Sequence, residues 1–493
     1  MKYVSTLADE SSGREVEFEY AVLNPFAADG GLWVPSEIPT ISKDTLRSWQ
    51  GLSYQKIAYN VLSLYISPDE LSGEELTALI ETSLADFFHP DIAPTVRVGD
   101  RYVLELFHGH TLAFKDYAMR LTVNMVAHFV RRRKQKAEAS SADSRSKVNV
   151  VVATSGDTGP SAASAAKLNS DVMNFWCLYP VGKVSRAQEL QMTTMNADNV
   201  HILAIEGLDS DGLDKVIEEM MADKNFVQDM QLLSVNSVNI CRVVAQSIHF
   251  IYSYLQIVPA CDKEVVFSIP CGACGNQFGG YLARSMGLPV KEFILTNNEN
   301  ASIVSLFESG KMRKRDTLAT YSNAIDIQVP YNIFRYLYFT GADSTTLRDW
   351  MDTLTNGKGE FELNSEQLKR VQEGYRSVAI SESETIATME KFYNNEAQPS
   401  YLLDPHTAVA MAGSLRYYPQ HPTKYIEELP IIVVSTAHPS KFQDVCEKVT
   451  GPGSTDLLHH SLQTMMYQRE YYYKVKGHAE ALALLKRNMP LCS

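Results

Sequence analysis

The feature that most constrains the fold is a series of short apolar segments, each followed by a longer segment with helical periodicity. Most of these segments run without polar alternation, which is typical of strands covered on both faces, as in a parallel sheet flanked by helices. We therefore predict an α/β protein. The predicted strands are residues 102–107, 148–153, 175–179, 200–205, 265–269, 293–296 and 431–435.

The chain is long enough for more than one hydrophobic core. Its 493 residues favour two or three domains. Residues 1–94 contain helical patterns at 54–65 and 73–88 and few strand signals, so we predict a mostly helical N-terminal unit. We place two α/β domains after it, at residues 95–255 and 256–493.

Composition excludes some classes of protein. A net charge of −13 argues against a nucleic-acid binder that neutralises phosphates over a wide surface. The one basic run, residues 131–136, is interpreted as a solvated helix end followed by a Ser/Ala-rich surface loop at 137–147. No stretch approaches the roughly 20 apolar residues that cross a bilayer, so we expect no contact with membranes. Seven irregularly spaced cysteines are typical of free thiols and predict a cytoplasmic protein.

Ligands of parallel sheets bind at the carboxyl ends of the strands, so the turns that follow the strands are the informative segments. The first such turn leads from strand 102–107 through His108 and His110 to Lys115 at a helix start. Burial and the positive end of a helix dipole both disfavour the charged form of an amine. A Schiff-base lysine needs these conditions, because only the uncharged amine is a nucleophile. A lysine near a helix start is also commonly a solvated charge, and the residue alone leaves both readings open.

The second turn is TSGDTG, at residues 154–159, between strand 148–153 and a helix of small residues. Its hydroxyls, its two glycines and the free amides of a helix N-terminus predict a cradle for a phosphate or a carboxylate. An ordinary capped helix uses the same residue types, although fewer of them.

The third turn follows strand 265–269 and reads PCGACGNQFGG. Its glycines let backbone amides approach a phosphate closely. The same turn contains Cys271 and Cys274 as Cys-x-x-Cys, which leaves a dithiol redox centre, half of a zinc site, or two thiols that fill the loop as alternatives.

The fourth turn is STAHPSKF, at residues 435–442. A neutral hydroxyl such as that of Thr436 can hydrogen-bond a heterocyclic nitrogen without forcing a proton onto it. His438 is an acid–base candidate, but a histidine before proline is more often structural.

Together with these turns, motifs along the whole chain carry a resemblance: MKYVST, DGGLWVP, LFHGHTLAFKD, LYPVGKVSRAQELQMTT, SVNSVN, DIQVPYN and LDPHTAV. The chain resembles the threonine synthase family of the pyridoxal-phosphate-dependent, tryptophan-synthase-β-like superfamily. The resemblance implies fold type II, in which two parallel-sheet α/β domains hold the cofactor between them.

The resemblance also implies roles for individual residues. Lys115 would form the Schiff base with pyridoxal 5'-phosphate, and Thr436 would face the pyridine nitrogen. Asp157 would lie near the cofactor ring. The cofactor phosphate would be bound by the loop of Gly272, Ala273, Cys274, Gly275 and Asn276. The substrate contacts would be Thr154, Ser155, Thr158, Lys183, Asn236 and Asn239.

The implied reaction converts O-phospho-L-homoserine and water to L-threonine and phosphate. We expect the protein to be a monomer or a homodimer and to use no metal. A threonine-synthase-like phospholyase that releases 2-oxobutyrate and ammonia is the alternative. The chain departs from the family pattern at His110, where a small residue or proline is usual, in the GACGN loop, and in SNAIDI at residues 322–327. We expect His110 and SNAIDI to affect substrate choice.

Overall fold

The computed structural model describes residues 1–8, 15–139, 147–355, 359–394, 400–421, 423–454 and 457–490. The strands are β1 (Tyr3–Ser5), β2 (Trp33–Pro35), β3 (Thr95–Val98), β4 (Arg101–Glu105), β5 (Val148–Ala153), β6 (Met173–Pro180), β7 (Val200–Glu206), β8 (Leu232–Ser234), β9 (Val265–Pro270), β10 (Val290–Asn297), β11 (Lys311–Arg313), β12 (Glu360–Glu362), β13 (Tyr375–Ala379), β14 (Ile431–Ser435) and β15 (Tyr473–Lys476).

The helices are α1 (Phe18–Leu23), α2 (Lys43–Ser48), α3 (Tyr54–Tyr65), α4 (Gly73–Leu84), α5 (Lys115–Ala139), α6 (Thr158–Ala166), α7 (Arg186–Thr193), α8 (Ser210–Ala222), α9 (Lys224–Met230), α10 (Ile240–Ile257), α11 (Gly275–Ser285), α12 (Ser302–Ser309), α13 (Ile333–Phe339), α14 (Ser344–Thr355), α15 (Ser365–Gln372), α16 (Glu382–Tyr393), α17 (Pro405–Tyr417), α18 (Lys424–Glu427), α19 (Gln443–Thr450), α20 (His460–Met465) and α21 (Gly477–Asn488). Short 3₁₀ helices span Lys167–Asn169, Asn323–Ile325 and Pro439–Phe442.

Two sheets form the centre of the fold. The larger has the strand order β13-β10-β9-β14-β4-β3, and all its pairs are parallel except β3 with β4. The smaller has the order β15-β7-β6-β5-β8 and is parallel throughout. Every residue of β5, β9 and β14 is buried, which explains their unbroken apolar sequences. The prediction of an α/β fold with parallel sheets and a helical N-terminal region is confirmed.

We expected each α/β domain, residues 95–255 and 256–493, to contain its own sheet. In the structure, both sheets include strands from both of these ranges. β3 and β4 lie in the larger sheet, where β4 pairs with β14, and β15 joins the smaller sheet beside β7. An apolar run shows that a strand is covered on both faces, but it carries no information about which sheet it enters. The boundaries themselves stay a prediction.

The N-terminal unit contains α1–α4 and an antiparallel pair, β1 with β2, that the sequence analysis missed. The predicted helix at 54–65 is confirmed, whereas the one predicted at 73–88 ends at Leu84. The unit is anchored on the helix that begins at Lys115, since Arg120 Nε donates to Ser83 O at 2.9 Å. It therefore supports the segment that carries the candidate lysine.

The basic run lies on α5 and forms ion pairs across its surface. Arg131 pairs with Asp171 at 2.6 Å, and both Arg132 and Arg133 pair with Glu19. Residues 140–146 of the predicted surface loop lie outside the described residues. Among the helices of the described ranges, none is both long and apolar enough to cross a membrane.

Candidate active site

Three cavities open along the carboxyl ends of β4, β5, β9 and β14. The inner cavity, about 40 Å³, is lined by Lys115, Asp157, Thr436 and residues 271–277. The middle cavity, about 110 Å³, is lined by Lys115, Thr154, Ser155, Thr158, Asn236 and Ala273. The outer cavity, about 460 Å³, is lined by Ser155, Lys183, Asn323, Asp326 and Lys441. Lys115 thus borders the first two cavities, and Ser155 borders the second and third.

Lys115 is the first residue of α5. Its Nζ lies 4.1 Å from the centroid of the Phe114 ring, and no hydrogen bond joins it to another described residue. Burial, reinforced by the Arg242 and Lys441 cations and opposed by Asp157, lowers the pKa of Lys115 to about 7. A substantial part of the amine is therefore unprotonated near neutral pH and can act as a nucleophile or base.

The turn before Lys115 is fixed against the turn after β14. Phe114 N donates to Thr436 O at 2.8 Å, and His438 N donates to Leu112 O at 3.0 Å. Leu112 adopts a positive φ of 59°, a conformation that side chains other than glycine seldom take. These backbone bonds hold Lys115 and Thr436 on the same side of the larger sheet.

The TSGDTG turn is braced by its own side chains. Thr154 Oγ1 accepts hydrogen bonds from Gly156 N and Gly159 N, both at 3.0 Å. Gly156 has a φ of +135°, and a Cβ there would lie 2.4 Å from Cδ of Gln188. Thr154 thus shapes the loop, which leaves Ser155 to border the middle and outer cavities.

Asp157 is held on two sides. Its Oδ1 accepts a hydrogen bond from Gln188 Nε2 at 2.9 Å and forms an ion pair with Lys441 Nζ at 3.0 Å. Burial acts to raise the pKa of Asp157, but Lys441, His406 and the hydrogen bonds outweigh it, and the pKa of this carboxyl is lowered. Asp157 is a carboxylate at neutral pH.

The glycine turn presents polar groups that lack partners. Cys274 has a φ of +57° and precedes α11, whose first residue is Gly275. Five buried side-chain atoms near this turn have no hydrogen-bond partner in the described structure: Arg242 Nε, Gln246 Oε1, His249 Nδ1, Asn276 Nδ2 and Gln277 Oε1. Buried polar groups are nearly always paired, so these atoms indicate that a polar ligand completes the site.

Arg242 is a cation in the inner cavity that the sequence analysis did not single out. It is buried, and within the described ranges the one hydrogen bond of its guanidinium runs from Nη1 to Val235 O at 3.4 Å. Burial lowers the pKa of Arg242 to about 10, and no carboxylate in the described ranges forms an ion pair with it. A buried guanidinium of this kind requires an anion.

The two cysteines of the glycine turn are buried. Burial raises the pKa of the Cys274 thiol, which opposes the thiolate that redox chemistry uses. Within the described ranges, no group of three or more His, Cys, Asp or Glu side chains is placed to hold a metal ion. The thiols fill the loop beneath the glycines.

In the fourth turn, Thr436 borders the inner cavity, and its Oγ1 has no hydrogen-bond partner among the described residues. His438 caps the 3₁₀ helix Pro439–Phe442 by accepting from Ser440 N, and burial lowers the pKa of His438 to about 3. The hydroxyl is thus available to a ligand, whereas the histidine is structural.

Not every predicted residue reaches a cavity. Asn236 borders the middle cavity, and its Oδ1 has no partner in the described structure. Lys183 is exposed at the outer cavity. Asn239 instead caps α10 by accepting from Cys241 N and donates to Val22 O, so both ends of its amide are used away from the three cavities.

His110 also lies away from the three cavities. Its Nε2 is 3.2 Å from Ala85 O, and its ring packs near Phe87 and Phe88 of the N-terminal unit. The expected effect on substrate choice has no direct contact to support it. Asn323 of SNAIDI does border the outer cavity, where its Nδ2 donates to Gln188 Oε1 at 3.1 Å.

The chain matches three family descriptions in succession. Residues 2–84 match "Threonine synthase N terminus", residues 97–426 match "Pyridoxal-phosphate dependent enzyme", and residues 407–485 match "Threonine synthase, C-terminal". The threonine synthase of Schizosaccharomyces pombe is 35% identical over 89% of this chain and 88% of its own length. The chain belongs to the threonine synthase family.

Other members of the threonine synthase family show the breadth of the likeness. The Pseudomonas aeruginosa threonine synthase is 32% identical over 95% of this chain and 94% of its own length. A protein named "Threonine synthase-like 2" from Xenopus laevis is 34% identical over 91% of this chain and 90% of its own. The PLP-bound threonine synthase of Brucella melitensis superposes with a TM-score of 0.87 at 30% identity, covering 99% of this chain and 98% of that one.

The residues of the inner cavity fit the cofactor of the threonine synthase family, pyridoxal phosphate. Two unpaired donors at the inner cavity, Arg242 Nε and Asn276 Nδ2, suit an anion, and a lysine amine with a lowered pKa suits an aldehyde. The free hydroxyl of Thr436 suits a ring nitrogen. The chain is a pyridoxal-phosphate-dependent enzyme of fold type II, as predicted.

Proposed function

We propose that the protein is a threonine synthase that converts O-phospho-L-homoserine and water to L-threonine and phosphate. One observation carries the proposal: an amine with a pKa lowered to about 7, on Lys115, borders both a cavity that suits the cofactor and a cavity lined by the TSGDTG turn. The family relationship supports the same activity.

The cofactor, when bound, supplies a conjugated ring that takes up negative charge from the substrate α-carbon. Lys115 would hold it and would then act as the general base and acid, because its amine can gain and lose a proton near pH 7. The glycine turn at residues 272–276 would bind the cofactor phosphate through backbone amides. Asp157 and Thr436, which both line the inner cavity, would contact the ring.

The substrate carries a carboxylate and a phosphate, so its site must satisfy two anions. Ser155 and Thr158, at the N-terminus of α6, border the middle cavity and would bind one of them. Asn236 has an unpaired amide oxygen in this cavity and would contact the substrate ammonium or a hydroxyl. Arg242 would supply a cation at the inner cavity, which Lys115 also borders. Lys183, at the outer cavity, would attract the anionic substrate as it enters.

A product assay tests the proposal. The purified holoenzyme is incubated with O-phospho-L-homoserine, and L-threonine, phosphate and 2-oxobutyrate are measured together. We expect threonine and phosphate in equal amounts, with none from the Lys115→Ala variant. If 2-oxobutyrate and ammonia are the main products, the protein is the phospholyase named in the alternative, and the synthase assignment is wrong.

The cellular location and the assembly are part of the proposal. The six cysteines in the described ranges are all free and buried, which supports a reducing compartment such as the cytoplasm. We expect a monomer or a homodimer, to be determined by sedimentation of the holoenzyme.

A further inference from the structure

Lys441 is a buried cation that the proposed reaction has not used. It lies in the 3₁₀ helix after β14 and is 0% exposed. Its Nζ donates to Thr111 O at 2.7 Å and to Gln191 Oε1 at 2.9 Å, and it lies 3.0 Å from Asp157 Oδ1. Buried lysines are rare and need partners, and here three partners come from three separate segments.

These segments all border the site. Thr111 belongs to the turn that delivers Lys115, Asp157 belongs to the TSGDTG turn, and Gln191 lies on α7. Gln191 Nε2 also donates to Thr111 O at 2.9 Å, so the lysine and the glutamine share one acceptor. Lys441 therefore connects a turn of the larger sheet, the one that leads to Lys115, with a turn of the smaller sheet.

The charges that act on Lys115 are few. Burial is the main cause of its lowered pKa; among the charges, Arg242 on α10 and Lys441 lower that pKa further, and Asp157 raises it. His406 on α17 lies in the inner cavity and acts on Asp157, while its own Nδ1 is 2.9 Å from Asp404 Oδ1. The charged residues of the middle cavity, farther out, are Asp214, Lys215, Glu218 and Lys314. Of the Asp157–Lys441 pair, Asp157 borders the inner cavity and Lys441 borders the outer one, and the two side chains meet at 3.0 Å.

We propose that Lys441 is a positioning residue, which holds the carboxylate of Asp157 in place beside Lys115 and so sets the proton affinity of the Lys115 nitrogen. This inference rests on the proposed use of Lys115 as the cofactor-bearing base. Removing one member of a buried ion pair leaves the other charge uncompensated. The two possible removals therefore leave charges of opposite sign close to Lys115.

The signs of the two effects follow from electrostatics. In Asp157→Asn the Lys441 cation remains, which disfavours a proton on Lys115 and lowers the pH at which its nitrogen titrates. In Lys441→Met the Asp157 carboxylate remains, which favours that proton and raises the titration midpoint. The double variant removes both charges, so its midpoint returns towards that of the wild type. A purely structural role would not produce shifts of opposite sign.

The test is a pH titration of the visible absorption of the holoenzyme, which reports the proton on the nitrogen that links Lys115 to the cofactor. We expect Asp157→Asn to lower the midpoint and Lys441→Met to raise it, each by at least about half a pH unit. Lys486→Met is the matched control. Lys486 lies on α21 and pairs with Asp223 at 3.8 Å, so its removal should cause no shift. Shifts in the same direction, or no shift in Asp157→Asn, would overturn the inference.

Two further readouts keep the outcome decisive. If Lys441→Met does not fold, the shift in Asp157→Asn still tests the inference. We expect this variant to fold, because asparagine keeps the acceptor for Gln188 and is nearly identical to aspartate in shape. For a variant that loses the cofactor, the pH dependence of Lys115 acetylation by acetic anhydride, followed by peptide mass spectrometry, gives the midpoint of the free amine, for which we expect shifts of the same signs relative to the cofactor-free wild type. A failure of the proposed function would instead appear in the wild-type products, whatever the variants show.

Discussion

The free energy of unfolding of a Lys115→Met variant tests whether burial lowers the pKa of the Lys115 amine. The cofactor-free wild type must keep an amine whose pKa is lowered to about 7, against 10.5 for an unburied lysine. At pH 7 this difference costs the folded state at most about 4 kcal/mol relative to the unfolded chain. Methionine has a similar length and no charge, so we expect the cofactor-free Lys115→Met variant to be more stable by up to that amount.

The pH dependence of this stabilisation has a definite sign. Above about pH 10.5 the amine is neutral in both the folded and the unfolded wild type, and the variant gains nothing from losing the charge. As the pH falls, the unfolded chain takes up a proton that the folded site resists, so the advantage of the variant grows to about 2 kcal/mol at pH 9 and is nearly complete at pH 7.

Calorimetric melting temperatures of the two cofactor-free proteins, measured at pH 7 and pH 9, provide the assay. We expect the variant to melt several degrees higher than the wild type at pH 7, with a smaller difference at pH 9. Lys486→Met, on the exposed side of α21, should show no such pH dependence. A variant that melts below the wild type, or a difference that is independent of pH, would refute the reasoning.

Three further substitutions have expected outcomes. Gly156→Ala should lower kcat/KM by more than tenfold, because the new Cβ would lie 2.4 Å from Cδ of Gln188 at a φ of +135°; unchanged steady-state kinetics would contradict this. Arg242→Met should weaken cofactor or phosphate binding at least about tenfold, measured by equilibrium titration, because the inner cavity loses its unpaired cation. Cys274→Gly should keep full activity, because the proposed reaction does not use the thiol and glycine readily adopts the positive φ of 57°; lost activity would revive a role for the thiol.

The parallel strands were predictable because burial on both faces leaves an unbroken apolar run. The runs at 148–153 and 431–435 match β5 and β14 residue for residue. β13 was missed because its sequence, YRSVA, mixes polar and apolar residues at the edge of the larger sheet. The strand predicted at 102–107, which is β4, could not be placed in the correct sheet, because pairing partners are set by the tertiary fold and leave no local pattern.

The turns of the site were predictable from their position after strands, but the roles of single side chains were less so. Asn239 lies in the same SVNSVN motif as Asn236, yet only Asn236 faces the middle cavity, since Asn239 caps α10. Arg242 follows that motif by a few residues, and a lone arginine in an apolar helix was a signal that the sequence analysis passed over. Lys441 lay within STAHPSKF, but only the fold shows that Asp157 is its partner.

Hydrogen bonds connect the N-terminal motif DGGLWVP to the glycine turn of the site. Arg335 is buried, and its Nε donates to Trp33 O at 2.9 Å, while its Nη1 donates to Asn332 Oδ1. Asn332 Nδ2 in turn donates to Ala273 O at 2.9 Å, in the glycine turn. The N-terminal unit is thus linked to the cofactor loop by two side chains, a connection between distant segments that no local pattern reveals.

The central claim is that Lys115 carries the cofactor at the junction of the inner and middle cavities. Borohydride reduction of the holoenzyme makes the bond between a lysine and the cofactor permanent, and peptide mass spectrometry then locates it. We predict that the modified peptide contains Lys115 and that no other lysine is modified stoichiometrically. A reduced cofactor on Lys441, Lys183 or any other lysine, with Lys115 unmodified, would contradict the account.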